Sequence, residues 1–352
     1  MKNQITLFTL TITILLLFSC KTKQSISAIA LSPTQNIVFL DSLQATTAIT
    51  QDDMENFFGD VGILDMSIQM KKDYGKDANR ETVLSDYKQF LKEDVLSFTE
   101  GERAFVEKIF KRVLANSNKV STKIFGNEIR LVKTHAKHYG ESVYYTRENI
   151  IVIPKHVLVE KNESAFYGTM LHELFHIYSR YHSKERAALY ELIGFKDIGP
   201  VSNLQIDPAL KHRILLNPDG VDFSYAIKMD IGEDKPILAI PIILANTTAF
   251  KKGQNEFFSY LDFGLFKISP PYSRLIKVHS NTDGSTMLRP DQLGDFYRQI
   301  KDNTNYIIHP DEVMADNFMY LIQAQEDPEA LKRFSEQGQK LLADIEEILK
   351  AQ

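Results

Sequence analysis

The chain has 352 residues, with 41 Lys and Arg against 46 Asp and Glu, for a formal net charge of −5. That mild acidity excludes nucleic acid as the expected partner, because phosphate binding draws on clustered Lys and Arg. A single cysteine, Cys20, excludes a disulfide framework, so stability has to come from a hydrophobic core.

At the N-terminus, Lys2 precedes a largely apolar run from Ile5 to Phe18. The run is too short to span a bilayer and suits the apolar core of a signal peptide, which we place at residues 1–19. It ends in Leu17-Phe18-Ser19-Cys20, which resembles the lipobox of bacterial lipoproteins. The resemblance implies cleavage before Cys20 and acylation of its thiol. The protein would then be lipid-anchored in the bacterial cell envelope, periplasmic or surface-facing, with the membrane as a partner through that anchor. Residues 20–35, rich in Ser, Thr, Lys and Gln, read as a flexible tether. No later apolar run approaches transmembrane length, and the remaining chain is long enough for one large domain or two modest ones.

Residues 36–120 read as a mostly helical region. Thr99 and Glu102 form a capping box, after which Phe105, Val106, Ile109, Phe110, Val113 and Leu114 recur at helical spacing. Before it, Val83, Leu84, Tyr87, Phe90, Leu91 and Val95 predict a second amphipathic helix. Leu64, Met66, Ile68 and Met70 alternate with polar residues and predict a short strand. Around Glu128 the period changes. Ile129 and Leu131 begin one strand, and Val143 to Pro154 predicts a second, centred on Ile150-Ile151-Val152-Ile153. His135 and His138 fall near the turn between them and read as surface residues.

The most informative stretch follows. Phe166, Tyr167, Met170, Leu171, Leu174, Phe175 and Tyr178 form an apolar helical stripe around His172-Glu173-Leu174-Phe175-His176. The four-residue step stacks both imidazoles on one helix face, where they can share a zinc ion. Glu173 sits beside them, placed to take a proton from a water. Beyond His182, a helix over Lys184–Ile193 stops at Gly194. The texture then turns β-rich, and we read 201–295 as an insert or substrate-facing lobe between two halves of a core, 121–200 and 296–352. Within it, Asn217-Pro218-Asp219-Gly220 is a strong turn. Ile237–Ile243 and Leu261–Ile268 predict strands, and Pro270-Pro271 and Asn281–Gly284 break the chain.

Two histidines need a third ligand, and three residues compete. His172 to His182 is similar to the metzincin pattern HExxHxxGxxH, but Ser179 stands at the glycine position. If the helix runs on past Ser179, His182 lies about 240° round from His176 and points away. Glu191 has no supporting residue at a telling distance. Glu312 follows His309-Pro310-Asp311, a helix start with proline in its first turn, and Asp316 lies one turn further on the same face.

Glu312-x-x-x-Asp316 resembles the second motif of gluzincins, and with His172, Glu173 and His176 it identifies the chain as similar to those zinc metallopeptidases. The resemblance implies an α+β, zincin-like core with one Zn2+ per chain. Glu312 would be the third ligand and Asp316 would orient a ligating histidine. The strand before the helix would form the upper rim of a cleft for a peptide or protein substrate, with Glu173 as general base. Tyr306 and His309, just upstream of Glu312, are the candidate oxyanion donors. Two other readings stand beside this one: a zinc hydrolase of a non-protein amide such as a cell-wall peptide, and a lipoprotein that only binds a partner. The intact His172, Glu173 and His176 argue against the last.

Overall fold

A computed structural model describes residues 27–220, 222–269 and 275–351. The signal segment, Cys20 and Pro270-Pro271 lie outside the described residues. Strands β1 (Ser27–Ala30), β2 (Asn36–Phe39), β3 (Val95–Leu96), β4 (Glu128–Thr134), β5 (Tyr145–Arg147) and β6 (Ile150–Pro154) form one sheet. Its order is β1-β2-β4-β6-β5, with β3 paired to the end of β4. The strands β2, β4 and β6 run parallel, whereas β5 is an antiparallel edge.

Side-chain alternation along these strands feeds two separate cores. Ile37, Phe39, Ile129, Leu131, Ile151 and Ile153 face one, and Val38, Val132, Ile150 and Val152 face the other. Packed on the second face are α1 (Ser42–Ala48), α2 (Phe57–Asp60), α3 (Ile63–Met70) and α4 (Arg80–Lys92). On the first face lie α5 (Glu100–Ser117) and α6 (Glu163–Tyr181). The expected capping box starts α5, with Glu102 N–H donating to Thr99 Oγ1 and Thr99 N–H to Glu102 Oε2.

Several expectations are corrected here. The supposed tether is already strand at Ser27, and the region from Asn36 opens with β2 before its helices begin. The Leu64–Met70 alternation is a helix, α3, not a strand. Asp65, Ser67 and Gln69 are buried with Leu64, Met66 and Ile68, so this helix has no solvent face to set its period. Its polar side chains are satisfied internally: Gln69 donates to Asp65 Oδ1, Tyr87 to Gln69 Oε1, and Leu216 N–H to Asp65 Oδ2. Val95 belongs to β3 rather than to the stripe of α4. The single strand expected over Val143–Pro154 is the hairpin β5–β6, turned at Glu148 with φ 52°. His138 is buried, not a surface residue. Its Nδ1 donates to Asp94 at 2.7 Å, and its Nε2 accepts from Tyr145.

Beyond α6, α7 (Ser183–Glu191) ends before Gly194, whose φ of 84° suits a glycine. The segment that follows carries β7 (Phe195–Asp197), β8 (Leu204–Gln205), α8 (Pro208–Arg213), β9 (Tyr225–Met229), β10 (Ile237–Ala245), β11 (Leu261–Ile268) and β12 (Ile276–Lys277). Four of these strands make an antiparallel sheet in the order β11-β10-β9-β7, while β8 and β12 pair alone. The chain closes with α9 (Gly294–Ile300), α10 (Pro310–Glu326) and α11 (Glu336–Lys350). This mixed α+β architecture fits a zincin-like core interrupted by a β-rich segment.

The helices α6 and α10 pack against each other, and that pairing builds the site. Helix α6 is buried from Phe166 to Gly168 and from Met170 to Ser179, and its large apolar residues each contribute about 1.5–3 kcal/mol when fully buried. Gly168, one turn before His172, lets α10 come close. A Cβ there would lie 3.1 Å from both Met319 Sδ and Gln323 Nε2.

Candidate metal centre

His172 and His176 project from α6 toward the first turn of α10, where Pro310 occupies the opening position as expected. His172 Nε2 lies 3.1 Å from Glu312 Oε2, and His176 Nε2 lies 3.3 Å from the same oxygen. The other ring nitrogens are held by aspartates. His172 Nδ1 donates to Asp316 Oδ1 at 2.9 Å, and His176 Nδ1 donates to Asp311 Oδ2 at 2.6 Å. Each aspartate thus fixes a tautomer that leaves the Nε2 lone pair facing inward.

That arrangement tests whether a metal fits. Two lone-pair nitrogens directed at one carboxylate oxygen repel unless a cation lies between them. His176 Nε2 is buried without a hydrogen bond. One ligand atom from each of His172, His176 and Glu312 lies within 4.8 Å of the others. Two imidazoles and a carboxylate are a zinc donor set, and the residues fit a single zinc ion. A proton competes for the same place. Burial works against charge on His172, but its bonds to Asp316 and Glu312 outweigh burial and push it up to about 10.

Glu173 lies beside the cluster, 4 % exposed, and its Oε2 has no hydrogen-bond partner. Burial, reinforced by repulsion from Asp219, pushes its carboxyl up to about 8, within reach of a base that works near neutrality. A cleft of about 620 Å³ opens onto His172 and Glu173. It is lined by Tyr139–Tyr144, the stretch leading into edge strand β5, and by Thr169, Asp316 and Met319.

The remaining candidates sort by geometry. Helix α6 continues through Ser179 to Tyr181. His182 then bonds back to Tyr178 O and stacks on the Tyr178 ring, away from the cluster. Glu191 is a surface residue 3.9 Å from Lys196. Tyr306 lines the cleft with its ring stacked on His172, centroids 5.9 Å apart. Burial, then Glu312 and Asp219, hold its phenol well above the ordinary range, so it keeps its proton as a donor. His309 is corrected from a candidate oxyanion donor to a helix cap. Its Nδ1 accepts from Asp311 N–H, so its proton sits on Nε2 and is donated to Asp222 O at 2.8 Å.

Three contributors went unrecognised in the sequence. Asp311 accepts from His176, from Ser179 Oγ at 3.1 Å and from Tyr190 OH at 2.5 Å. Asn217 donates to Glu312 Oε1 at 2.6 Å, and Asp219 lines the cleft beside Glu173. The sequence marks the last two only as turn formers. The signal for Asp311 was its position next to Glu312, with Tyr190 on the helix after the histidines.

Comparison of the chain with protein-family models, with curated proteins and with solved structures gives no match. The site therefore speaks through its own chemistry. A His-His-Glu cluster with an unpartnered glutamate at the floor of a cleft is the site of a zinc-dependent hydrolase.

Proposed function

We propose that the protein is a zinc-dependent peptidase, lipid-anchored through Cys20 and acting in the cell envelope. The observation that carries the peptidase reading is the pairing of the His172–His176–Glu312 cluster with a buried, unpartnered Glu173 carboxylate in an open cleft. His172, His176 and Glu312 would hold the ion. The chemistry it supplies is Lewis-acid activation of a water and of the scissile carbonyl. Glu173 accepts the proton of the attacking water and passes it to the leaving nitrogen. Asp316 and Asp311 keep both imidazoles in the ligating tautomer, and Asn217 fixes Glu312. The Tyr306 hydroxyl is the donor available to the developing oxyanion.

A peptide substrate is favoured by what surrounds the cluster. The rim stretch Tyr139–Tyr144 turns at Glu141-Ser142 and leads into β5, an antiparallel edge strand to which an extended peptide can add. An apolar recess of about 30 Å³, walled by Leu216, Pro218, Ile243, Phe257, Leu261 and Ile308, shares Tyr139, Val143, Tyr144, Phe258 and Tyr306 with the cleft. It has room for a group about the size of a methyl. The anchor is supported by Leu17-Phe18-Ser19-Cys20, and among the described residues no helix is long and apolar enough to cross a membrane.

The test is a peptide-library digest read by mass spectrometry, with zinc-loaded wild type beside Glu173→Gln. The wild type should cleave, and the variant should keep its zinc while losing at least about a hundredfold in rate. Retained turnover in Glu173→Gln would remove that residue from the mechanism. A zinc-loaded wild type that cleaves no peptide would sink the peptidase reading.

A further inference from the structure

The cleft over the metal centre carries more negative charge than the metal chemistry uses. Glu141, Glu173, Asp219, Glu256 and Asp316 line it, and no Lys or Arg is among its lining residues. Lys137, Lys251 and Lys252, close to that lining in sequence, are exposed and stand outside it. Three of the five carboxylates belong with the histidines: Asp316 accepts from His172, and Glu173 and Asp219 group with His176. A bound divalent cation offsets their charge. Glu141 and Glu256 are exposed and lie outside those groups.

These two glutamates come from different parts of the chain and meet at the rim. Glu256 lies in the connection between β10 and β11, so the β-rich segment itself supplies part of the cleft. That connection is tied down: Asn246 N–H donates to Tyr260 O at 2.8 Å, and Asn246 Nδ2 and Gln254 Nε2 both donate to Ser259 O. Buried Phe257 packs edge-on against Tyr139, ring centroids 4.8 Å apart, which sets its neighbours Glu256 and Phe258 at the cleft. A Cβ on Gly140 would lie 3.9 Å from Glu256 Oε2, so that carboxylate reaches the main chain next to Glu141. Among the described residues no hydrogen bond or ion pair falls on the Glu256 carboxylate. Glu141 meets the His156 imidazole at 3.6 Å, too long for a hydrogen bond.

We propose that the cleft selects peptides with a lysine or arginine side chain close to the scissile bond, its cation received by Glu256 and Glu141. The proposal rests on the peptidase reading and names the substrate class. A long cationic side chain matches what the rim presents. Its methylene stem covers the rings of Tyr144 and Phe258, and its charged head stays in water between the two carboxylates. Phe258 is 53 % exposed, an aromatic face that no part of the chain covers fully. Glu173, whose buried Oε2 has no partner, lies in the same cleft and sets the place of the scissile bond. An acidic side chain at the rim meets repulsion, and a neutral one leaves both glutamates unused. Because the two glutamates are exposed, each contributes modestly and acts on capture of the peptide more than on the chemical step.

The zinc-loaded full chain is assayed on blocked peptides, acetyl-Ala-Ala-X-Ala-Ala-amide with X as Lys, Arg, norleucine or Glu, and on the norleucine peptide with a free amino terminus. Binding of the same peptides to zinc-loaded Glu173→Gln is measured by calorimetry, so selectivity is read without turnover. The Lys and Arg peptides should exceed blocked norleucine by about tenfold in kcat/KM, chiefly through KM, and the Glu peptide should be poorest. Glu256→Gln should cut the Lys-to-norleucine ratio by about three- to fivefold, and Glu141→Gln with Glu256→Gln should bring it close to one. Raising NaCl to about 0.5 M should lower the wild-type ratio, and the surface control Glu191→Ala should keep it. A ratio is insensitive to the fraction of folded protein. Equal values for Lys and norleucine in wild type, or a Lys preference that survives in the double variant, would overturn the proposal. Preference for the free amino terminus over the Lys side chain would also overturn it, by showing a site for a chain end. Lys-selective binding without cleavage would bring down the peptidase reading and leave the selectivity of the cleft, whereas cleavage without Lys preference would do the reverse.

Discussion

Asp311 and Asp316 each hold one ligating imidazole, yet their removal should have unequal consequences. The Asp316 side chain is 16 % exposed and accepts from His172 Nδ1 and from Thr304 Oγ1. It borders the cleft, so water can replace it in Asp316→Ala. The expected cost is a loss of zinc affinity of ten- to a hundredfold, about 1.4–2.8 kcal/mol, with little change in the fold. Asp311 is fully buried and accepts from three buried donors: His176 Nδ1, Ser179 Oγ and Tyr190 OH. Asp311→Ala leaves His176 Nδ1 and Tyr190 OH unpaired, at about 1–3 kcal/mol each, while Ser179 Oγ can still donate to His176 O; the loss is a large part of a domain's usual stability of about 5–15 kcal/mol. Burial alone would raise the Asp311 carboxyl, but its bond to His176 and the charge there hold it below the usual range, so the charged form is the one the fold uses. Urea unfolding of the metal-free proteins separates the cases. Asp311→Ala should lose several kcal/mol, and Asp316→Ala should stay within about 1 kcal/mol of wild type while failing to hold zinc against a chelator. Equal destabilisation by the two variants, or wild-type zinc affinity in Asp316→Ala, would refute the assignment of the two acceptors.

Asp65 gives a pH dependence unrelated to the metal. Burial pushes its carboxyl from 3.8 up to about 6, so the folded state binds the proton more tightly than the unfolded chain. Its contribution is greatest below pH 4 and is lost as pH rises from about 4 to about 6, by about 3 kcal/mol in all. Urea midpoints measured from pH 4 to 7 should fall more steeply for wild type than for Asp65→Asn, and parallel slopes would contradict the argument. Near the N-terminus, Cys20→Ser should release the protein from membranes to the soluble fraction, because the tether supplies the membrane affinity. A wild type found wholly soluble would remove the anchor.

What could be read in the sequence was whatever a local pattern encodes. The HExxH spacing and its apolar stripe fixed α6, and proline followed by Glu312 and Asp316 at one-turn spacing marked the start of α10. Partners made by packing were illegible. Asp311 is adjacent to Glu312 in sequence, but its role depends on Tyr190 and Ser179 arriving from α6 and α7. Asn217 and Asp219 carry strong turn chemistry, and nothing local says that the turn ends beside Glu173. Helix α3 misled for the opposite reason. It is buried on nearly all sides, so the alternation of Leu64, Met66, Ile68 and Met70 with Asp65, Ser67 and Gln69 reports no exposed face. His138 looked like a loop residue because its acceptor, Asp94, lies 44 positions upstream.

The central claim is that His172, His176 and Glu312 hold one zinc ion. Metal analysis of the purified full chain, after zinc supplementation and gentle desalting, tests it most directly when His172→Ala, Glu312→Ala, His182→Ala and Glu191→Ala are run beside wild type. The account predicts about one zinc per chain in wild type, His182→Ala and Glu191→Ala, and close to none in His172→Ala and Glu312→Ala. A metal-free wild type, or zinc retained in Glu312→Ala and lost in His182→Ala, would contradict it.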